Sequence, residues 1–294
     1  MTVWDSIASA IQGATRYPFN LSKAIPVGGG SINEAYCLQG ADGERYFLKL
    51  NDVQNYPIFV AEEVSLEKIA ATNTLCVPSP IAHGASGKQS FLVLEYLKLS
   101  SHGSAHLLGE QLATLHRCTS SQFGLDHNNF IGTMAQPNGW KNDWIEFWRE
   151  QRLGFQLQLA AHKGYTGKIQ HLGKNLMDAL PAYFVDYTPQ PSLLHGDLWS
   201  GNHAFLADGT PAIFDPAAYY GDRECDIAMT ELFGGFSADF YAAYRATYPL
   251  DAGYATRRDL YNLYHILNHA NLFGGGYARQ AEQMMQRLLV ETGK

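Results

Sequence analysis

The chain has 294 residues, of which 46% are hydrophobic and 17% charged; it is long enough for one large domain or for two lobes sharing a site, and too apolar for a disordered regulator. Lysine and arginine total 21 against 28 aspartates and glutamates, and the resulting formal charge of −7 offers no basic field to nucleic acid. The four cysteines, Cys37, Cys76, Cys118 and Cys225, are far apart with no CxxC pair, which argues against a disulfide framework or zinc knuckle and for a reducing cytoplasm. The opening MTVWDSIASA lacks a basic stretch ahead of an apolar one, and no run of about 18 apolar residues occurs, so neither an export signal nor a membrane span is expected.

Taken in order, residues 25–50 read as a strand, a glycine turn at Gly28-Gly29-Gly30, a second strand around Ala35 to Leu38, a turn at Asp42-Gly43 and a third strand through Tyr46 to Leu50. This predicts a small antiparallel sheet. A helical pattern follows over residues 57–72, with Val60, Val64 and the stretch 66–69 expected to face inward, and Pro78 and Pro80 stop it. The run SFLVLEYL, residues 90–97, reads as a buried strand that leads out of a first lobe spanning residues 1–97. Residues 98–294 then form a second, mainly helical lobe, with helices expected over 105–117, 140–161, 171–184, 257–272 and 278–290. Two short strand-like pieces interrupt it, 192–194 and 212–214, each running straight into acidic residues.

Those two ends carry the most informative residues. In LLHGDLWSGN, residues 193–202, Asp197 follows a short strand and Asn202 stands five residues on; in AIFDP, Asp215 stands eighteen residues on. This spacing matches a kinase catalytic loop and metal loop: Asp197 accepts a proton from a substrate hydroxyl, while Asn202 and Asp215 offer hard oxygen ligands to magnesium on nucleotide phosphates. Phosphoryl transfer also needs positive charge at the phosphates. Lys49 in YFLKLN lies among apolar residues on the third strand, where an unpaired ammonium is costly, and Glu62 on the next helix is its expected partner, with Glu63 as competitor. The glycine turn with Ser31 would let unhindered backbone N–H groups approach phosphate oxygens, although it lacks the lysine of a Walker-type loop. Glu95, Tyr96 and Leu97 would present backbone groups to an adenine edge.

With these parts in order, the sequence resembles the fructosamine kinase family, or ketosamine kinases, within the protein-kinase-like fold shared with aminoglycoside phosphotransferases. The resemblance covers almost the whole chain: GGGSINEA, LGEQLATLH, WKNDWIEFWREQRL, HGDLWSGN, FDPAAYYGDRECDIAM, ELFGGF and LYNLYHILNHANLFGGGY. It implies an α+β two-lobe fold, a small antiparallel-sheet lobe and a larger helical one, and transfer of phosphate from ATP, with Mg2+, to the 3-hydroxyl of a fructosamine or ribulosamine. The ester so formed is unstable and frees the amine, a deglycation-type repair. On this resemblance Asp197 is the base, Asn202 and Asp215 hold magnesium, Lys49 with Glu62 positions phosphates, and Trp199 walls the sugar pocket. Ser31 stands where some relatives carry a glycine-loop cysteine linked to redox-controlled dimerisation, so that control is not expected here. The partner is a small-molecule or protein-bound ketosamine, with no nucleic acid and no membrane, and the chain is expected to act as a monomer or weak dimer. The alternatives are a kinase for another small hydroxyl acceptor, aminoglycoside- or choline-like, and a non-catalytic nucleotide-binding pseudokinase.

Other signals have plainer readings. His265 and His269, and His102 and His106, lie at helical spacing but lack the glutamate of HExxH, so they read as core or loop residues. His195 is expected to brace the backbone of its loop. Trp140, Trp144 and Trp148 recur every four residues and read as core packing. Asp222, Glu224 and Asp226 in GDRECD read as a helix start with an ion-pair network, and the triple glycine at 274–276 as a loop between the last helices.

Overall fold

In a computed structural model, which describes residues 2–28 and 32–292, the chain divides into two compact units: residues 1–104 with 204–215, and residues 105–203 with 216–294. The expected glycine-loop residues Gly29, Gly30 and Ser31 lie outside the described residues.

The first unit opens with a helix that the sequence reading passed over, α1 (Val3–Thr15). Its start is a reciprocal cap, in which the Asp5 N–H donates to the Thr2 hydroxyl and the Thr2 N–H to the Asp5 carboxylate. Strands β1 (Leu21–Val27), β2 (Glu34–Gly40) and β3 (Arg45–Asp52) follow, then helix α2 (Tyr56–Ala70) and strands β4 (Pro80–Ser86) and β5 (Gln89–Glu95). They form one antiparallel sheet in the order β1-β2-β3-β5-β4. Side chains alternate across a strand, so Leu48 and Leu50 point to one face, where they pack with Ile7 and Ile11 of α1, Leu38, Phe91 and Val93. Lys49 between them points to the other face, towards α2. The buried stripe of α2 is Phe59, Glu62, Leu66 and Ile69, spaced by three and four; Leu66 and Ile69 face inward as expected, whereas Val60 and Val64 are only half-buried because that stripe, not theirs, meets the sheet. The unit extends to Ser104, beyond the boundary expected at residue 97, through the short strand β6 (Leu99–Ser100).

The second unit is mainly helical. It begins with α3 (Ala105–Leu115) and the hairpin of β7 (Asn129–Ile131) and β8 (Met134–Gln136). The single helix expected over 140–161 is instead α4 (Trp144–Trp148), a π-helical turn at Arg149–Gly154, and α5 (Phe155–His162). The Asp143 carboxylate accepts the Glu146 N–H at 2.7 Å and so fixes the start of α4 after Trp140. Trp144 and Trp148 are buried in the core with Phe147, Tyr261 and Tyr264, as expected, but Trp140 lies outside the helix, stacked near Tyr220 and donating to Asp126. Helix α6 (Lys168–Ala179) and the buried strand β9 (Ser192–Leu194) lead to the catalytic-type loop.

The chain then returns to the first unit. There β10 (His203–Leu206) pairs with β6, β11 (Pro211–Ile213) joins β10, and the Ile213 N–H donates to the Cys76 carbonyl; these pairings draw residues 204–215 out of the helical portion to which the sequence assigns them. Back in the second unit, β12 (Tyr219–Gly221) pairs with β9, and α7 (Glu224–Leu232), α8 (Ala238–Thr247), α9 (Tyr254–Phe273) and α10 (Tyr277–Glu291) complete the core, with Gly274–Gly276 as the loop between the last two. Among the described residues no helix is long and apolar enough to cross a membrane.

Candidate active site

In the first unit Lys49 is the centre of a buried ion cluster. Its ammonium lies 2.5 Å from Glu62 and 2.6 Å from Asp215, with Lys49 itself 5% exposed. Burial alone would drive the proton off Lys49, but two carboxylates hold it above its ordinary value, so it stays cationic. Glu62 is in the opposite position. Burial pushes it up to about 6, since its one cation is shared with Asp215, whose own charge adds to the push. Glu63 does not compete, because it pairs with His83 at 2.9 Å. Asp215 ends the strand-like run after β11 in the left-handed region, φ 59°, a conformation uncommon for a residue with a side chain and one that turns its carboxylate back onto Lys49. Its side chain remains 47% exposed, so it can also serve a ligand.

Gly28 follows the last residue of β1, and a Cβ there would meet open space. At the end of β5, the Glu95 N–H donates to the Ser79 carbonyl at 2.8 Å and its carboxylate accepts the Ser79 N–H, so the Glu95 donor is already engaged. Tyr96 lies beneath the Arg45 guanidinium, 5.7 Å from its ring centre.

In the second unit the loop 195–202 is held from below. The Asp226 carboxylate accepts the backbone N–H of His195 at 2.7 Å and of Gly196 at 2.8 Å, and His116 Nε2 lies 3.1 Å from it. Buried Arg223 donates to the Tyr244 hydroxyl at 3.1 Å, and Tyr244 is 2.8 Å from His116 Nδ1, so one directional chain of donors ends on Asp226. Burial by itself would raise Asp226, but the hydrogen bonds it accepts from His116 and from the loop N–H groups hold it below the usual carboxylate range. Gly196 sits at φ 85°, and a Cβ there would meet the Ala217 carbonyl oxygen at 2.1 Å, so only glycine fits. His195 braces the turn as expected, with its Nδ1 accepting the Asp197 N–H at 3.2 Å. Asn202 Nδ2 donates to the Asp197 carbonyl at 2.9 Å, which fixes the amide and turns its oxygen away from that bond. Trp199 is 37% exposed and its ring lies over Gly201, where a Cβ would be 2.3 Å from it.

Asp226 and His116 are the functional side chains the sequence reading missed. Both lie in stretches it singled out, GDRECD and LGEQLATLH, but nothing local separates a carboxylate that grips a distant loop from one that starts a helix. The network expected at GDRECD is otherwise present: Glu224 pairs with Arg257 at 2.7 Å, while Asp222 accepts from Tyr261 and Tyr187. Arg223 departs from it, because its partners are Tyr244 and the carbonyls of Tyr248 and Pro249 rather than a carboxylate. Of the histidines weighed for metal, His265 is buried and pushed down to about 3, chiefly by burial, so it stays neutral, and His106 reaches Glu110 one turn along α3.

Comparison with known proteins identifies the family. The chain is 48% identical over 97% of its length, and 97% of the relative's, to a protein of Synechocystis sp. named a probable ketoamine kinase. It is 41% identical over 92% of its length, and 83% of the relative's, to the chloroplastic protein-ribulosamine 3-kinase of Arabidopsis thaliana. A crystal structure from Haemophilus somnus, provisionally named a fructosamine-3-kinase, matches with a TM-score of 0.88 and 31% identity over 97% of both chains. The α+β fold is the protein-kinase-like one also found in aminoglycoside phosphotransferases, a likeness that at 15% identity speaks for the fold alone. The family model for fructosamine kinase matches residues 3–291, and the chain belongs to that family.

Proposed function

We propose that the protein is an ATP- and magnesium-dependent ketosamine 3-kinase. The observation that carries this reading is the buried ammonium of Lys49 bound by both Glu62 and Asp215, because a lysine so fixed is the charge a nucleotide's phosphates require. The family and the names of its members supply the acceptor, an amine bearing a fructose- or ribulose-type sugar. In this reading Asp197 takes the proton of the sugar 3-hydroxyl as its oxygen attacks the γ-phosphorus in line, and ADP leaves. Lys49, oriented by Glu62, neutralises phosphate oxygens, and the backbone of residues 28–31 supplies further N–H donors. Tyr96 or Leu97 gives the adenine its backbone N–H, since the Glu95 N–H is committed to Ser79 and leaves Glu95 its carbonyl to offer. Trp199 walls the sugar.

The donor set fits magnesium. Asn202, with its amide nitrogen spent on Asp197, has the amide oxygen to give, and Asp215 has an exposed carboxylate. When bound, the ion would neutralise charge on the phosphates. The four free cysteines support a reducing, cytoplasmic setting for this chemistry.

The test is ATP consumption with magnesium on ribulose- and fructose-modified lysines beside an aminoglycoside and choline, with Asp197→Asn as the blank. Turnover confined to the ketosamines and absent from the blank is expected. Turnover on another acceptor alone would discard the substrate, and an active Asp197→Asn enzyme would discard the base.

A further inference from the structure

Beside the catalytic-type loop, and within the same unit, lies an aromatic cluster to which the proposed chemistry gives no role. His269 on α9 is its centre: its ring centre is 5.0 Å from that of Phe233, 5.5 Å from Phe273 and 5.2 Å from Tyr277. The chain reverses at Gly274, φ 66°, so Phe273 at the end of α9 and Tyr277 at the start of α10 both meet His269. The His269 ring is fixed by its own Nδ1, which lies 2.8 Å from the His265 carbonyl. Phe273 is 60% exposed, while Phe233, His269 and Tyr277 are half-buried, so the cluster opens to solvent at Phe273. It is also tied to the loop: the Ser200 hydroxyl, next to Trp199, donates to the Phe233 carbonyl at 3.3 Å, and the His203 ring packs at a tilt against Phe236 three residues along.

Aromatic rings gathered at the surface and left partly open to water are costly to leave wet, and their faces attract an alkyl chain that carries positive charge. The acceptor of a ketosamine kinase has those two properties on one side. Its sugar bears the hydroxyl that reacts, and its amine is a protonated nitrogen that continues, in a lysine adduct, into a four-carbon stem. We propose that Phe233, Phe273 and Tyr277, held together by His269, receive this amine and stem while the sugar lies at Trp199 and Asp197. The inference rests on the ketosamine reading and deepens it: the cluster selects ketosamines of long amines over those of short ones. His269 acts by keeping the three rings in place.

The test compares kcat/KM for two acceptors with the same sugar, one made from Nα-acetyl-lysine and one from methylamine, in the wild type, Phe273→Ala, Tyr277→Ala and Phe273→Tyr. The wild type is expected to favour the lysine adduct. Each alanine variant is expected to cut that preference by about tenfold through KM, with a smaller loss on the methylamine adduct, which keeps the amine but not the stem, while the KM for ATP stays as it was and Phe273→Tyr keeps the preference. Phe273 is mostly exposed, so its loss does not threaten folding, and a thermal melt confirms this. A preference unchanged in both alanine variants, an equal loss on both acceptors, or a wild type blind to the stem overturns the inference and leaves the kinase reading standing. A wild type that phosphorylates no ketosamine at all overturns that reading and the inference with it.

Discussion

The Asp226 carboxylate and the Gly196 N–H are bonded at 2.8 Å, thirty positions apart in the chain and both buried, and this contact with its twin at His195 sets the position of Asp197 one residue on. Replacing Asp226 with asparagine keeps the volume but gives up one of two acceptor oxygens and the charge that His116 and the loop amides need. The buried N–H left without a partner costs about 1–3 kcal/mol. Asp226→Asn is therefore expected to lower kcat by more than tenfold, with little change in the KM for ATP, and to lower the melting temperature. Steady-state kinetics with a thermal melt separate the effects: a variant that loses stability but keeps kcat would show that the contact only holds the fold.

Glu62 gives a pH signature. Its carboxyl is raised to about 6 by burial, and only its anion can hold Lys49 towards phosphates, so kcat/KM is expected to rise through pH 6 from the acid side. Stability runs the other way. A group whose folded value lies above its usual 4.5 favours the folded state at low pH, and that benefit is lost as pH rises through 6. Lys49 stays charged throughout. A Glu62→Gln variant should lose the acid limb of the rate profile and much of its activity; an acid limb unchanged in that variant would assign it to another group.

How far these features could be read in advance depends on their range. The sheet strands, the helix carrying Glu62 and the two acidic loop ends follow from periods of two and of three to four, and from turn residues at 28–30 and 42–43, all local signals. The partner choice between Glu62 and Glu63 is not local, because it turns on which residue of α2 faces Lys49 across the sheet. The α1 cap at Thr2 and Asp5 is a local signal of the same kind, a Thr followed three residues on by an acidic side chain. The break of 140–161 into two helices around a π turn could not be read, since it depends on buried Arg152, which binds the Pro137 carbonyl and Asn138 from another segment. Strand β10 was hidden for the same reason: its partner, β6, lies about a hundred residues upstream.

Gly196 is the position where a single methyl group should do most harm. At φ 85° an alanine is already strained, and its Cβ would press on the Ala217 oxygen, which belongs to the backbone and cannot swing aside. Gly196→Ala is expected to cost at least about 2 kcal/mol and to displace Asp197, with activity falling further than the melting temperature alone explains. Gly43, also at positive φ but with open space about it, is the control: Gly43→Ala should cost about 1 kcal/mol and leave kcat unchanged.

Arg257 and Glu224 pose a different test, because the two halves of their buried pair are not equivalent. Arg257 donates to both oxygens of Glu224, at 2.7 and 3.0 Å, and also to Asp251, and it caps the Tyr183 carbonyl. Glu224, fully buried beside Asp222, is raised to about 7, first by burial and then by that neighbouring charge. Removing the arginine therefore strands carboxylates and a carbonyl, whereas a glutamine at 224 keeps an acceptor for the guanidinium and removes a charge that burial already penalises. Arg257→Ala should destabilise by about 3–5 kcal/mol and Glu224→Gln by far less. The sign with pH follows: the folded value of Glu224 lies above its usual 4.5, so the stability it contributes is complete below 4.5 and fades as pH rises through 7. In chemical denaturation at pH 5 and pH 8, Glu224→Gln should lose less stability on going to the higher pH than the wild type does. Equal losses in the two proteins would mean that Arg257 keeps Glu224 ionised at both.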